Sequence, residues 1–580
     1  MISLLKHMER KQLVYGLFLI IFIVSQVVME LTVPDYMSKI TKLINTQGST
    51  TAQIMDCGKM MLLFSSLAFV SSVTSKFFSS KLAASFSKHL RYEIFKKVES
   101  FSMEEMDRFS TASLITRSTN DCTQIQNIMS RGVNQLIRVP IMIGFVLYKI
   151  STHYWQWMAF TAASVSVLVF LLLFLIFYAH PRFRKMQYYT DNINQVTREN
   201  MTGMRVVRAY NGEAYEERKF DKANDEYTDN ALKARRAMGL MQPVTKFVNN
   251  ELNVGIYCIG AFLIASANEL EKLNIFSEMV VFSTYAAGIV RAFMGLNMVF
   301  NMIPRATVSA ERINEILDCD PKIKDGNKET ESEISGVMEF KNVSFSYVDS
   351  SLKTLDSISF SAKKGETIAL IGPTGSGKST IVNLMMRFFD CDEGEILVDG
   401  KNVKDYPLDV LRKKMGYASQ QAVLFTGTVS SNVAYATQII EEKVNRAIEI
   451  AQSQSFVSAM EKGINAPIRR GGTNISGGQK QRLSIARAIY RQPEFYIFDD
   501  TFSALDYRTD AQLRMALKKQ TASVTTFIVA QRISTIKDAD KILVIDEGKI
   551  VGQGKHEELM ESCQLYREIA YTQLSKEEML

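Results

Sequence analysis

Residues 366–389 read ETIALIGPTGSGKSTIVNLMMRFF, and the reading of the whole chain turns on them. The apolar run up to Ile371 predicts a buried strand; the glycine-rich stretch ends it, and an apolar helical run follows. This is G-x-x-x-x-G-K-[ST] in the strand–loop–helix setting that the motif requires. Glycines let backbone N–H groups curl around a β-phosphate at a helix N-terminus. Lys378 is placed to neutralise β- and γ-phosphate oxygens, and the Ser379 hydroxyl to reach Mg²⁺. Gly372, Thr374, Gly375, Ser376, Gly377, Lys378, Ser379 and Thr380 are therefore the candidate ATP contacts, with ATP and Mg²⁺ the expected ligands.

Downstream, the apolar stretch Phe495–Phe498 ends in Asp499. An acid at the C-terminal edge of a strand neighbouring the P-loop strand is where a Walker B aspartate holds Mg²⁺. Many strands end in Asp, so this position gains its meaning from the P-loop upstream.

The rest of the chain is of another kind. It has 580 residues, enough for at least two domains at about 100–200 residues each. Apolar runs of near-spanning length lie at 13–33, 57–76, 135–153, 156–179, 247–267 and 279–303, the second interrupted by serine and threonine. The first is too long and lacks the small-residue cleavage site of a signal peptide, so it reads as a retained helix. Basic residues crowd the loops at 76–138 (Lys76, Lys81, Lys88, Arg91 and others) and after 182 (Arg182, Arg184, Lys185, Arg198 and others), whereas the opposite loops hold few. Positive charge marks the cytoplasmic side, so both termini are expected inside. Most of the net charge of +7 is thus topological, which argues against nucleic acid as a partner.

Both basic loops lack proline and are expected to stay helical, each hairpin reaching about 45 Å below the membrane. Charged groups inside spans need a reason. Glu30 and Glu251 lie near span ends, where snorkelling accounts for them. Arg291 lies mid-span and is expected to face protein or a substrate cavity. Cys57, Cys122, Cys258, Cys319, Cys391 and Cys563 show neither CxxC nor zinc spacing, and are expected to be packed, reduced thiols.

Residues 475–479, Ile-Ser-Gly-Gly-Gln, lead into KQRLSIARAI and are similar to the LSGGQ signature of ABC transporters, with Ile in place of Leu. Residues 338–572 resemble the nucleotide-binding domain of that family, and the whole chain resembles a type IV, exporter-type half-transporter of the multidrug-exporter class. The resemblance implies that Tyr347 stacks on adenine, a contact of about 1–3 kcal/mol by analogy with base stacking. It makes Gln420 the Q-loop glutamine, near Mg²⁺, and Asp506, in Ser503–Asp506, part of the D-loop. Residues 107–126 and 198–220 look like the family's intracellular loops with their coupling helices. The expected architecture is an α-helical membrane domain of six transmembrane helices with long cytoplasmic extensions (1–310), a linker (311–337) and an α/β P-loop nucleotide-binding domain with a helical subdomain (338–580). A plasma membrane, most naturally bacterial, with a cytoplasmic nucleotide-binding domain is the location implied.

The family pattern fails at two positions. The general base after Walker B, a glutamate in active members, is Asp500; the switch histidine is Gln531. Aspartate retracts the carboxylate by one methylene, and a misplacement of about 1 Å costs on the order of 100-fold. Glutamine cannot carry a proton or charge to a γ-phosphate. Arg470 also replaces the glutamate expected in the X-loop. The signature, Ser476, Gly477, Gly478 and Gln479, is nearly intact. In this family two nucleotide-binding domains close head-to-tail, each signature on the other's ATP. This chain therefore reads as the subunit of a heterodimer that binds ATP in a degenerate site and lends its signature to a second half-transporter chain. The cargo expected is an amphipathic drug, lipid or peptide moved outward. The competing readings are a homodimeric lipid flippase and a nucleotide-gated sensor or channel that does not pump.

Overall fold

The computed structural model describes residues 2–45, 49–150, 154–174, 177–178, 180–326, 334–348, 350, 352–503 and 505–573. The ends of the third and fourth expected spans, part of the expected linker, and Ala504 lie outside them. Two compact units emerge: Met1–Glu99 with Ala112–Cys319, and Ser100–Thr111 with Asp320–Leu580. The division at Cys319/Asp320 falls inside 311–337, because the helix Glu269–Leu317 runs on and buries Ile313 and Ile316.

In the first unit, helices Arg10–Asn45, Thr51–Glu99, Val133–Ile150, Trp155–Phe174, Met241–Ser266 and Glu269–Leu317 occupy the six apolar runs. Four of the described helices are long and apolar enough to cross a membrane; Trp155–Leu171 is apolar but shorter, and Val133–Ile150, which carries Arg138 and Lys149, is not among the four. The serine-dotted run is explained by its partner. Ser71, Ser75 and Ser79 form a buried i,i+4 stripe along Thr51–Glu99, with Ser71 bonded to Ser25, while Leu62 and Phe69 are exposed. Small hydroxyl side chains allow close helix approach in a bilayer. Gly255 serves the same end: a Cβ there would lie 2.1 Å from the Phe160 ring.

The snorkelling expected for Glu30 is corrected. Its carboxylate pairs with Arg138 on a neighbouring helix at 2.8 Å, and Asp35 takes Lys149 and the Tyr285 hydroxyl. Pairing is the cheaper solution for charges held in low dielectric. The side chain of Arg291 is exposed, with no hydrogen bond or ion pair among the described residues.

The basic loops are helical. His180–Thr202 packs on Glu213–Gly239, which buries Ala223, Ala231, Ala234 and Ala237, and a short helix, Met204–Ala209, lies at the tip. The other loop continues through Thr111–Thr116 and two π-helical turns, Arg117–Asp121 and Ile128–Gly132.

The second unit is built on a six-stranded sheet in the order Lys549–Gly554, Lys541–Asp546, Thr367–Ile371, Thr525–Val529, Phe495–Asp499, Met415–Ala418. All neighbours pair in parallel except the first two. A second sheet of Leu355–Ala362, Met338–Phe345, Glu393–Val398 and Lys401–Asn402 shares its core through Phe340, Phe360 and Phe527. Helices Val429–Val433, Glu441–Ile450 and Gly477–Tyr490 pack around a separate apolar cluster with Leu483 and Leu513. The strand ending in Asp499 is not the direct neighbour that the sequence reading assumed: Thr525–Val529 lies between it and the P-loop strand. That insertion delivers Gln531 between the two, since the switch segment follows the intervening strand.

Candidate nucleotide site

The loop after Thr367–Ile371 leaves the C-terminal edge of a parallel sheet, where ligands of such folds collect. Two of its glycines are obligatory. At Gly377 φ is 102°, and a Cβ would sit 2.6 Å from Leu355; at Gly372 it would meet the Ile545 carbonyl at 1.9 Å. Gly375, at φ 84°, has open space where a Cβ would be, and Thr374 is exposed. The buried Lys378 ammonium donates to the carbonyls of Gly372 (2.9 Å) and Pro373 (2.7 Å) and to Ser376 Oγ (3.3 Å). Burial lowers its pKa, against the attraction of Asp500 and Asp499. It is a cation held at the cradle rim by neutral carbonyls, free to exchange them for phosphate oxygens.

Ser379 Oγ donates to Asp499 Oδ1 at 3.2 Å. Burial pushes the Asp499 carboxyl up, while that bond opposes the shift. Hydroxyl and carboxylate thus converge beside the cradle, the donor set that Mg²⁺ takes when phosphates fill its remaining positions. Among the described residues no cluster of three or more His, Cys, Asp or Glu could hold a metal by itself. The residues fit a nucleotide-borne Mg²⁺.

Asp500 is buried at φ 47°, a left-handed conformation that Asp tolerates, with its N–H on the Val529 carbonyl. Its Oδ2 accepts from Gln531 Nε2 at 2.8 Å and from Gln420 Nε2 at 3.4 Å. Burial raises its pKa, and the hydrogen bonds and Lys378 pull it back. The structure therefore adds Gln420 to the pair Asp500 and Gln531 that the sequence reading had linked; nothing in the spacing ties Gln420 to Asp500.

Tyr347 stands half-buried, edge-on to Phe345 and Phe389, with its hydroxyl 3.3 Å from Thr380 Oγ1. Aromatic walls on the inner side leave the ring fixed beside the P-loop helix.

Ser476 caps the helix Gly477–Tyr490: its hydroxyl accepts from the Gln479 N–H, and its own N–H donates to Gln479 Oε1. Ser476 and Gly477 are exposed, Gly478 less so, and nothing lies within 4 Å of a Cβ placed on Gly477. A helix N-terminus with open space before it is an anion-binding surface looking outward. Asp506 caps the helix Tyr507–Thr521 through the Thr509 N–H, which holds its carboxyl below the usual range; Arg470 is exposed.

Sequence reading missed the segment 100–111, which belongs to this unit. Glu105 is buried and accepts from the N–H groups of Ser102 and Lys322, and Lys322 Nζ meets Glu104. The Ser-x-x-Glu capping box at Ser102–Glu105 was the available signal.

A helical membrane region followed by a phosphate cradle, a capped outward-facing signature helix and an acidic pair defines a membrane-spanning P-loop ATPase. The family model of the ABC transporter transmembrane region matches residues 17–293, and that of the ABC transporter matches 355–503. An uncharacterized ABC transporter ATP-binding protein of Mycobacterium tuberculosis is 36% identical over 531 residues, 90% of each chain. An ATP-dependent lipid A-core flippase of Pseudomonas fluorescens is 31% identical over 507 residues, 86% of this chain and 82% of that one. In fold, the chain is similar to a bacterial Atm1-family ABC exporter with ATP bound, at a TM-score of 0.77 and 23% identity, covering 98% and 99% of the two chains. The chain belongs to the ABC transporter family, as an exporter-type half-transporter with membrane and ATP-binding regions in one polypeptide.

Proposed function

We propose that this chain is one half of a heterodimeric exporter, that it holds ATP and Mg²⁺ in a site of low hydrolytic power, and that it completes the partner's hydrolytic site with Ser476–Gln479. The observation that carries the reading is the state of Asp500. Its carboxylate is short by one methylene and is held by two neutral amides, Gln531 and Gln420, with no imidazole beside it. A carboxylate one methylene short, with its outer oxygen already taken by two amides, is poorly placed to take a proton from an attacking water. The exposed, well-capped signature helix has what the partner's ATP would need. ATP-driven closure of the two nucleotide-binding domains would reach the membrane helices through the helical loops, and hydrolysis at the partner's site would reset them.

The cargo is an amphipathic compound: a drug, lipid or peptide. Arg291, exposed in the middle of its helix and without a partner among the described residues, is the residue we assign to the cargo-facing cavity. Unpaired charge at that depth needs water, protein or a bound anion. The lipid flippases among the relatives favour a second reading, a homodimer that flips lipid.

ATP turnover of the chain purified alone, then co-expressed with a second half-transporter encoded beside it, separates the two. The heterodimer reading expects near-background turnover alone, restoration by the partner, and loss of the restored activity in Ser476→Arg. Brisk turnover by the chain alone, as a dimer, would establish the homodimer instead.

A further inference from the structure

The switch segment carrying Gln531 is gripped from outside the catalytic sheet. Gln573, near the end of the helix Gln564–Gln573, places one carboxamide on two backbone groups. Its Nε2 donates to the Gln531 carbonyl at 2.8 Å, and its Oε1 accepts the Ile533 N–H at 2.9 Å. These groups lie two residues apart, and a primary amide meets both as a neighbouring strand would. A second tie comes from the helix after the D-loop, where Arg514 donates to the Ser534 carbonyl at 2.7 Å and pairs with Asp510. Between these ties the Gln531 side chain reaches Asp500.

We propose that Gln573 is a positioning residue: the C-terminal helix fixes the switch backbone so that the Gln531 amide stays on Asp500 and is aimed at the terminal phosphate of bound ATP. The clamp acts through Gln531 and not on nucleotide itself. Backbone groups at a strand end have no ladder partner, and without Gln573 this pair would bond to water and leave the loop several arrangements. The role holds whether Asp500 is a strong base or a weak one. It does rest on the reading of Gln531 as the residue that faces the γ-phosphate.

The test is the release rate of a fluorescent, non-hydrolysable ATP analogue with Mg²⁺ from the full-length chain, compared among wild type, Gln531→Ala, Gln573→Ala, Gln573→Glu and the double variant Gln531→Ala/Gln573→Ala. Two lost hydrogen bonds predict release about tenfold faster in Gln573→Ala. Gln573→Glu, which keeps the acceptor and loses the donor, falls between. In the Gln531→Ala background Gln573→Ala adds nothing, since its route is gone. Amide exchange at Ile533 rises in Gln573→Ala while the melting temperature holds, which a general loss of structure would not give. Unchanged release in Gln573→Ala, with Gln531→Ala fast, overturns the clamp alone. Equal, additive effects of Gln573→Ala in both backgrounds overturn it as well. Release unaffected by Gln531→Ala overturns the reading of Gln531 and the clamp together.

Discussion

In the function proposed above, Asp500 and Gln531 differ from a strongly hydrolytic pair by small changes with large leverage. Restoring reach and charge together, in Asp500→Glu/Gln531→His, is expected to raise ATP turnover of the chain alone by about tenfold or more, as read by phosphate release. Tyr347 is tested separately. Its ring is braced by Phe345 and Phe389, so Tyr347→Ala removes a rigid platform at no cost in refolding the loop. ATP affinity should fall about tenfold, and Tyr347→Trp should retain it. At this scale the P-loop was legible because its chemistry is local: three glycines, a lysine and two serines within eight residues. The environment of Asp500 was not, because it is assembled by strand ends from positions 420, 500 and 531. The clamp by Gln573 lies farther still, on a helix that carries no motif.

Glu30 was misread when taken alone and makes sense as one of a pair. Glu30 had an adequate solution by itself, snorkelling, until Arg138 appeared 108 positions along the chain. Glu30→Gln leaves Arg138 without a counter-charge and should lower the melting temperature of the detergent-solubilised chain. Both side chains are partly exposed, so the cost is about 1–2 kcal/mol rather than the 3–5 of a fully buried pair. Glu30→Gln/Arg138→Gln should recover most of the loss. The short helix Met103–Phe109 offers a pH test. Burial opposes ionisation of Glu105, and bonds from Ser102 and the Lys322 N–H outweigh it, leaving its carboxyl below the usual range. A depressed carboxyl adds stability that is full above its unfolded value and is lost as pH falls through the folded one. Glu105→Gln should therefore destabilise at pH 7, and the gap to wild type should close below about pH 4.5, by thermal melts across that range. The serine stripe of Thr51–Glu99 was half legible: its spacing predicted one face on protein and one on lipid, and packing against Arg10–Asn45 identified the partner.

For the whole molecule, class and order of parts were readable because membrane spans and a P-loop each impose their own physics on composition. Sheet order was not readable, since the parallel pairing that inserts Thr525–Val529 between the two phosphate-facing strands depends on contacts 159 residues apart. The asymmetry proposed for the assembled transporter is a property of two chains, and it is tested most directly by removing this chain's carboxylate from the working assembly. In the heterodimer, Asp500→Asn should leave ATP turnover within about twofold of the parent, because the attacking water is activated at the partner's site. Turnover that falls to background in that variant would mean that Asp500 is itself the catalytic base, and the account of a silent site would be wrong.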